Sequence, residues 1–290
     1  MTIQNKIKIN QCNIGLLHDT PLSSSQALFK AFSLVNKEWP LTNSGALIQR
    51  LKLIGSSQDL LNSDSHYYNN NDDKIESFFS SNTSIQNLNG SNSISISNKT
   101  KFHFVYNSIQ EKQLPYLLPF SVVAYLEVNN ENNEINNNNK ENSENNKIIK
   151  NNIDIKIIGH SRWALAKSIF SKNSNSRQVV MDSLVVDKDY RNYGIGKAIL
   201  LYGEEILKRM NVNQIYLQTK HAKNFYLKYG YEESKVVPII KIDKKIYENI
   251  PLKTEDVEKV IQNELSSDET SKPRPFNFSN AVWMEKKLLV

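Results

Sequence analysis

Six consecutive residues have the types and spacing to do chemistry together: Arg191, Asn192, Tyr193, Gly194, Ile195 and Gly196. They follow the apolar run Val179 to Val186 and lead into an amphipathic one that carries Ile199, Leu200, Ile206 and Leu207. A glycine turn opening a helix arrays backbone N–H groups around an anion, and glycine lets that backbone approach without a Cβ in the way. The chemistry on offer is phosphate binding. A dinucleotide fingerprint would need Gly-x-Gly-x-x-Gly, but Gly196 is followed by Lys197, Ala198 and Ile199. A P-loop would need Ser or Thr after Gly-Lys, where Ala198 stands. What remains is Arg-x-x-Gly-x-Gly, with Phe225 and Tyr226 downstream. A tyrosine with an ordinary pKa of about 10 is protonated at neutral pH and can serve as a general acid. Asp182 ranks first as a base because it sits just before the run that ends at the loop; His160 and His221 are the alternatives, acting directly or through water. Plainer roles stand beside these: a core aromatic for Tyr226 and a structural ion pair for Asp182.

Two strands must hold this loop, Val179 to Val186 before it and Gln214 to Thr219 after its helix, with the helix from Gly196 to Met210. A further central strand is predicted across Ile155 to Leu165, and a helix over His221 to Tyr229 before a turn at Gly230. Upstream, Ser-capped Leu22 to Glu38 and Ser44 to Ile54 have helical periodicity, the first ending before Trp39-Pro40. Strands are expected at Phe102 to Tyr106, Phe120 to Val128 and Ala281 to Met284. Three segments, about 62–100, 129–152 and 252–275, are Asn/Ser-rich or charged and read as insertions, the last with room for a short helix. The whole of 1–290 then reads as a single α/β (α+β) domain.

No run approaches the roughly 18 to 20 apolar residues of a membrane helix, and a lone Cys12 makes no internal disulfide. These features predict a soluble, cytoplasmic protein without a membrane partner. The net charge is +6, and it is concentrated: Ile155 to Lys245 holds seventeen Lys/Arg against eight Asp/Glu, while Asn129 to Asn146 holds four Glu and one Lys. The basic residues are not interleaved with aromatics, which argues against a nucleic-acid partner.

The Arg191 to Gly196 loop and its spacing from Phe225-Tyr226 resemble the pyrophosphate loop of the GNAT acetyltransferase superfamily. The resemblance implies a mixed central sheet with splayed middle strands flanked by helices, acetyl-CoA as cosubstrate and no metal. It implies that the backbone of Leu184, Val185 and Val186 pairs with the pantetheine arm. It implies likewise that the amides of Asn192 to Lys197 hold the pyrophosphate, that Arg191 and Lys197 add charge, and that Tyr226 protonates the leaving thiolate. A closer resemblance, to the dedicated actin N-terminal acetyltransferase family, rests on strings in one order. These are Asn36-Lys37-Glu38-Trp39-Pro40, Arg50-Leu51 with Gly55-Ser56-Ser57, Gly159-His160-Ser161-Arg162, Asp182 to Val186, and Leu227 to Tyr231. That family acetylates the acidic N-terminus of processed actin, and the resemblance implies Arg50 and Arg162 as partners of substrate carboxylates and Trp39 as a wall of the peptide site. Surface ion pairs and a helix-end aromatic are the plainer roles. Two departures stand out. Leu41-Thr42-Asn43-Ser44 is neutral where the family tends to be basic, and Pro273 and Pro275 are too few for a polyproline contact with profilin, which is not expected here. A GNAT enzyme acting on lysine or a small amine, and a non-catalytic CoA-binding module, are the competing readings.

Overall fold

The computed structural model describes residues 9, 11–55, 100–106, 117–129, 153–167, 177–240, 254–266 and 280–288. Its elements are β1 (Gln11–Leu16), α1 (Ser24–Glu38), α2 (Ser44–Gly55), β2 (Lys101–Phe104), β3 (Phe120–Asn129), β4 (Ile153–Lys167) and β5 (Gln178–Val186). There follow α3 (Ile195–Arg209), β6 (Gln214–Thr219), α4 (Lys223–Leu227), β7 (Glu232–Glu233), β8 (Ile239–Ile240), α5 (Thr254–Ser266) and β9 (Val282–Lys287). The strands form one mixed sheet in the order β2-β1-β3-β4-β5-β6-β9-β7, with β8 on β4. Tracts 62–99 and 130–152 lie outside the described residues, as do Pro273 and Pro275.

α1 starts one residue past its cap: the Ser23 hydroxyl accepts from the Gln26 amide and the Gln26 side chain accepts from the Ser23 amide, a reciprocal capping box. Its predicted start at Leu22 therefore moves to Ser24. Leu28, Phe32 and Val35 face inward at helical spacing. α2 is capped by Asn43, whose side chain accepts from the Ala46 amide at 3.0 Å.

The sheet separates two cores. On one side α3 packs on Val122, Ala124, Ile158 and Met181; on the other α1 and α2 cover Val123, Tyr125, Ile157 and Val185. Close approach on the α3 side depends on two glycines. A Cβ on Gly203 would lie 2.5 Å from the Trp163 ring, and one on Gly159 would lie 2.6 Å from Ile199.

The expected splay is present and has a local cause. β5 pairs with β6 in parallel only from Gln178↔Gln214 to Met181↔Leu217, so its second half leaves β6. At that point Arg162 faces Ser183 while Trp163 faces Met181, which makes Asp182 the extra residue of a β-bulge. A bulge bends and twists its strand, and here it turns Asp182 to Val186 away from β6.

β1 and α4 are among the elements that differ from expectation. β1 is absent from the periodicity reading because it is short and carries Gln11 and Asn13 between apolar residues; it is nevertheless internal, parallel to β2 and antiparallel to β3. The helix allowed for within 252–275 stands at α5, where Ile261 is buried and Val257 and Val260 pack on the α1/α2 core. The predicted helix over His221 to Tyr229 shortens to α4, with the Ala222 amide held by the Thr219 hydroxyl at 3.0 Å.

Candidate active site

The loop between β5 and α3 is braced before it reaches the helix. The Asp187 amide donates to the Ile158 carbonyl, and the Asp187 carboxylate accepts from the Asp189 amide at 3.1 Å. Burial works against that carboxylate, but the Asp189 amide and the Lys37 ammonium outweigh it and hold its pKa below the usual range. Tyr190 is buried, its hydroxyl taking a hydrogen bond from Lys156 at 3.1 Å. Asn192 (φ 70°) and Gly194 (φ 83°) then take left-handed conformations that turn the chain into α3.

Gly194 caps α3, and its carbonyl accepts from the Ala198 amide at 3.0 Å. The amides of Ile195, Gly196 and Lys197 precede that first intrahelical bond and so point out of the helix end, where the dipole favours an anion. A Cβ on Gly196 would stand at ordinary contact, 3.7 to 3.8 Å, from Leu184, Val186 and Phe225. That missing side chain leaves a cradle between the diverging half of β5 and α4, framed by donors. The fit for a phosphate-bearing ligand with an extended arm is good: three amides and a glycine face for the diphosphate, and for the arm the edge of β5 that, beyond the bulge, no longer pairs with β6. Lys197 sits with its ammonium 5.9 Å from the Tyr229 ring centroid, so its charge is held at the same helix end. Tyr193 is partly buried against the α3-side core.

Arg191 faces backward. Its Nε donates to the Val186 carbonyl at 3.0 Å, and its Nη2 meets the Glu38 carboxylate of α1 at 2.7 Å. In the sequence Glu38 stands only as part of the Asn36 to Pro40 string, with no role attached to it.

Tyr226 is 6% exposed and packs edge-on against Phe225 and Tyr231, with ring centroids 5.0 and 5.6 Å apart. Burial pushes its phenol well above the ordinary tyrosine range, which keeps the proton on the oxygen.

Asp182 and Arg162, assigned separate roles in the sequence, form an ion pair with each other. The Arg162 side chain is 5% exposed and its Nε also donates to the Leu53 carbonyl of α2 at 2.8 Å, so this guanidinium is turned inward. Arg50 bonds the Asn36 side chain at 2.7 Å and the Trp39 carbonyl at 2.5 Å, which brings Arg50 and Trp39 together at the junction of α1 and α2. Trp39 is partly buried there. Of the alternative bases, His221 is exposed at the entry to α4, whereas His160 is wholly buried beside Ser121, its Nε2 3.2 Å from the hydroxyl. Burial, aided by the charge of Arg162, pushes the His160 imidazole down to about 3. Cys12 is buried, which raises its thiol to about 12 and leaves it unreactive. Among the described residues no group of three His, Cys, Asp or Glu is placed to hold a metal, and no helix is long and apolar enough to cross a membrane.

Residues 150–233 match the family model described as the acetyltransferase (GNAT) domain. The matched stretch runs from β4 through the bulged β5, the loop, α3, β6 and α4 to β7. Similar solved structures include Arabidopsis thaliana Naa50 in complex with a bisubstrate analogue, CoA-Ac-MVNAL, at 18% identity over 46% of this chain and 67% of that one, TM-score 0.28. The NatC complex bound to Gag peptide and CoA aligns at 14% identity over 58% of this chain and 71% of that one, TM-score 0.30. Nourseothricin acetyltransferase aligns at 11% identity over 58% of this chain and 65% of that one, TM-score 0.28.

Proposed function

We propose that this chain is an Nα-acetyltransferase that moves the acetyl group of acetyl-CoA to the acidic N-terminal residue of processed actin. The observation that carries the acetyl-CoA part is the end of α3, where the Ile195, Gly196 and Lys197 amides and the Gly196 face meet a β5 that a bulge has parted from β6. Acetyl-CoA supplies the activated acyl group as a thioester. The chain's own residues do the rest. The amides fix the diphosphate, and the freed backbone of Leu184 to Val186 aligns the arm, so that the acyl carbon is held for the incoming amine. As the C–N bond forms and the C–S bond breaks, Tyr226 gives its proton to the departing sulfur. The amine sheds its own proton through water toward the side of Asp182 not taken by Arg162; that carboxylate is 21% exposed.

The actin part rests on the ordered strings between Asn36 and Tyr231 and on the positive charge gathered between Ile155 and Lys245. Trp39 and Arg50, joined at the α1/α2 junction, are the wall we assign to the acceptor peptide. The test is a peptide panel with acetyl-CoA: acidic N-termini with free or blocked α-amines, and the same peptides with an internal lysine. Transfer confined to free acidic α-amines is expected; modification of lysine alone would reject this acceptor.

A further inference from the structure

Both ends of the parted half of β5 are tied to the α1/α2 hairpin. At its start, Asp182 pairs with Arg162, which holds the last turn of α2 through the Leu53 carbonyl at 2.8 Å. At its end, the Val186 carbonyl is held by Arg191, whose other edge grips Glu38 at 2.7 Å, and Lys37 pairs with Asp187 at 3.0 Å. Lys37 and Glu38 are the last two residues of α1. They flank a small crevice between α1 and β5 that Leu34, Val185, Asp187 and Lys188 complete. The next residue, Trp39, has its amide on the Val35 carbonyl at 3.0 Å and its own carbonyl on Arg50 of α2. A continuous set of polar contacts therefore runs from the loop that holds the diphosphate to the junction of the hairpin.

We propose that Lys37 and Glu38 are positioning residues that couple the cofactor loop to the α1/α2 junction, so that ordering of the loop by a CoA diphosphate also orders the acceptor wall around Trp39. The inference rests on the acetyl-CoA reading of the loop. Two adjacent ions on one helix end, each reaching a different residue of the same loop, fix that end in rotation as well as in distance, which a single surface pair would not do. Coupling of this kind is reciprocal, so an acceptor bound at the junction tightens the hold on CoA by the same factor.

The experiment is amide hydrogen exchange on the full chain with and without saturating CoA, paired with calorimetric titration of CoA, for wild type and for Lys37→Met/Glu38→Gln. The expected result is that CoA slows exchange in a peptide spanning Asn36 to Ser44 by about fivefold or more in wild type. In the double variant the slowing vanishes from that peptide while it persists at Gly194 to Ala198 and CoA still binds. Slowing that persists at the junction in the double variant, or that never occurs in a wild type that binds CoA, overturns the proposal. A wild type that binds no CoA overturns the acetyl-CoA reading itself, and this inference with it. Each single variant, checked for an unchanged thermal midpoint, separates loss of coupling from loss of fold.

Discussion

At the scale of single residues, the chemistry depends on where a proton sits. Tyr226 is buried and its phenol is pushed above the ordinary range, so it is a proton donor across the whole neutral region. Tyr226→Phe keeps the ring and its edge contacts while removing the donor; kcat is expected to fall by about 100-fold while the Kd for CoA stays within about threefold. Because the shift is upward, ionisation of this group takes nothing from kcat below about pH 10, and a rate profile falling through pH 8 would assign the acid elsewhere. His160 works in the opposite direction. Its folded-state pKa, about 3, lies below the ordinary 6.5, so the neutral buried ring contributes stability that is present above pH 6.5 and is lost as pH falls from there toward 3. Between pH 7.5 and pH 5 the chain should lose about 2 kcal/mol through this one residue. Urea midpoints at the two pH values should show that loss in wild type and a smaller one in His160→Gln; equal acid sensitivity would contradict it. The sequence presented both His160 and Asp182 as bases because residue type shows what a group can do, while burial and partners decide what it does. Only the fold puts Arg162 against Asp182 and closes His160 from solvent.

At the scale of elements, α3 serves two ends that its glycines distinguish. Gly196 faces the cradle at ordinary contact distances, whereas a Cβ on Gly203 would collide with the Trp163 ring at 2.5 Å. Gly196→Ala should therefore leave the unfolding free energy within about 1 kcal/mol of wild type yet weaken CoA binding by about tenfold or more, since the methyl fills the face the diphosphate approaches. Gly203→Ala should cost about 1–3 kcal/mol by overpacking while changing CoA affinity little in the protein that remains folded. Denaturant titration and calorimetry on the two variants decide this, and the reverse pattern would reject the cradle. The loop and α3 were legible in advance because a glycine signature, an apolar strand and an amphipathic helix agree there. The bulge at Asp182 was not, since an aspartate inside an apolar run carries no mark of being the unpaired residue. β1 was missed for a related reason: six residues, two of them polar amides, give too short a pattern to separate from a loop, and only pairing on both sides makes it a strand.

At the scale of the whole molecule, the mixed sheet with helices on both faces follows from the order of elements, while the low-complexity tracts add length without altering that order. Asn129 pairs with Ile153, so the two ends of the 130–152 tract already stand one strand spacing apart. Replacing that tract with Asn-Gly should leave the thermal midpoint within about 2 °C and CoA affinity unchanged, because loop closure entropy varies slowly with length. A loss of CoA binding on trimming would assign the tract a function. The charged segment near the C-terminus was legible as composition, but its helix packs Val257, Val260 and Ile261 onto α1 and α2, a contact visible only once the hairpin is in place. The proposed acceptor confines the chain to one modification on one protein. Mass spectrometry of actin N-terminal peptides from cells with this chain and from cells lacking its gene should find the processed acidic terminus acetylated in the first and carrying a free α-amine in the second. Full acetylation in both, or none in either, would contradict it.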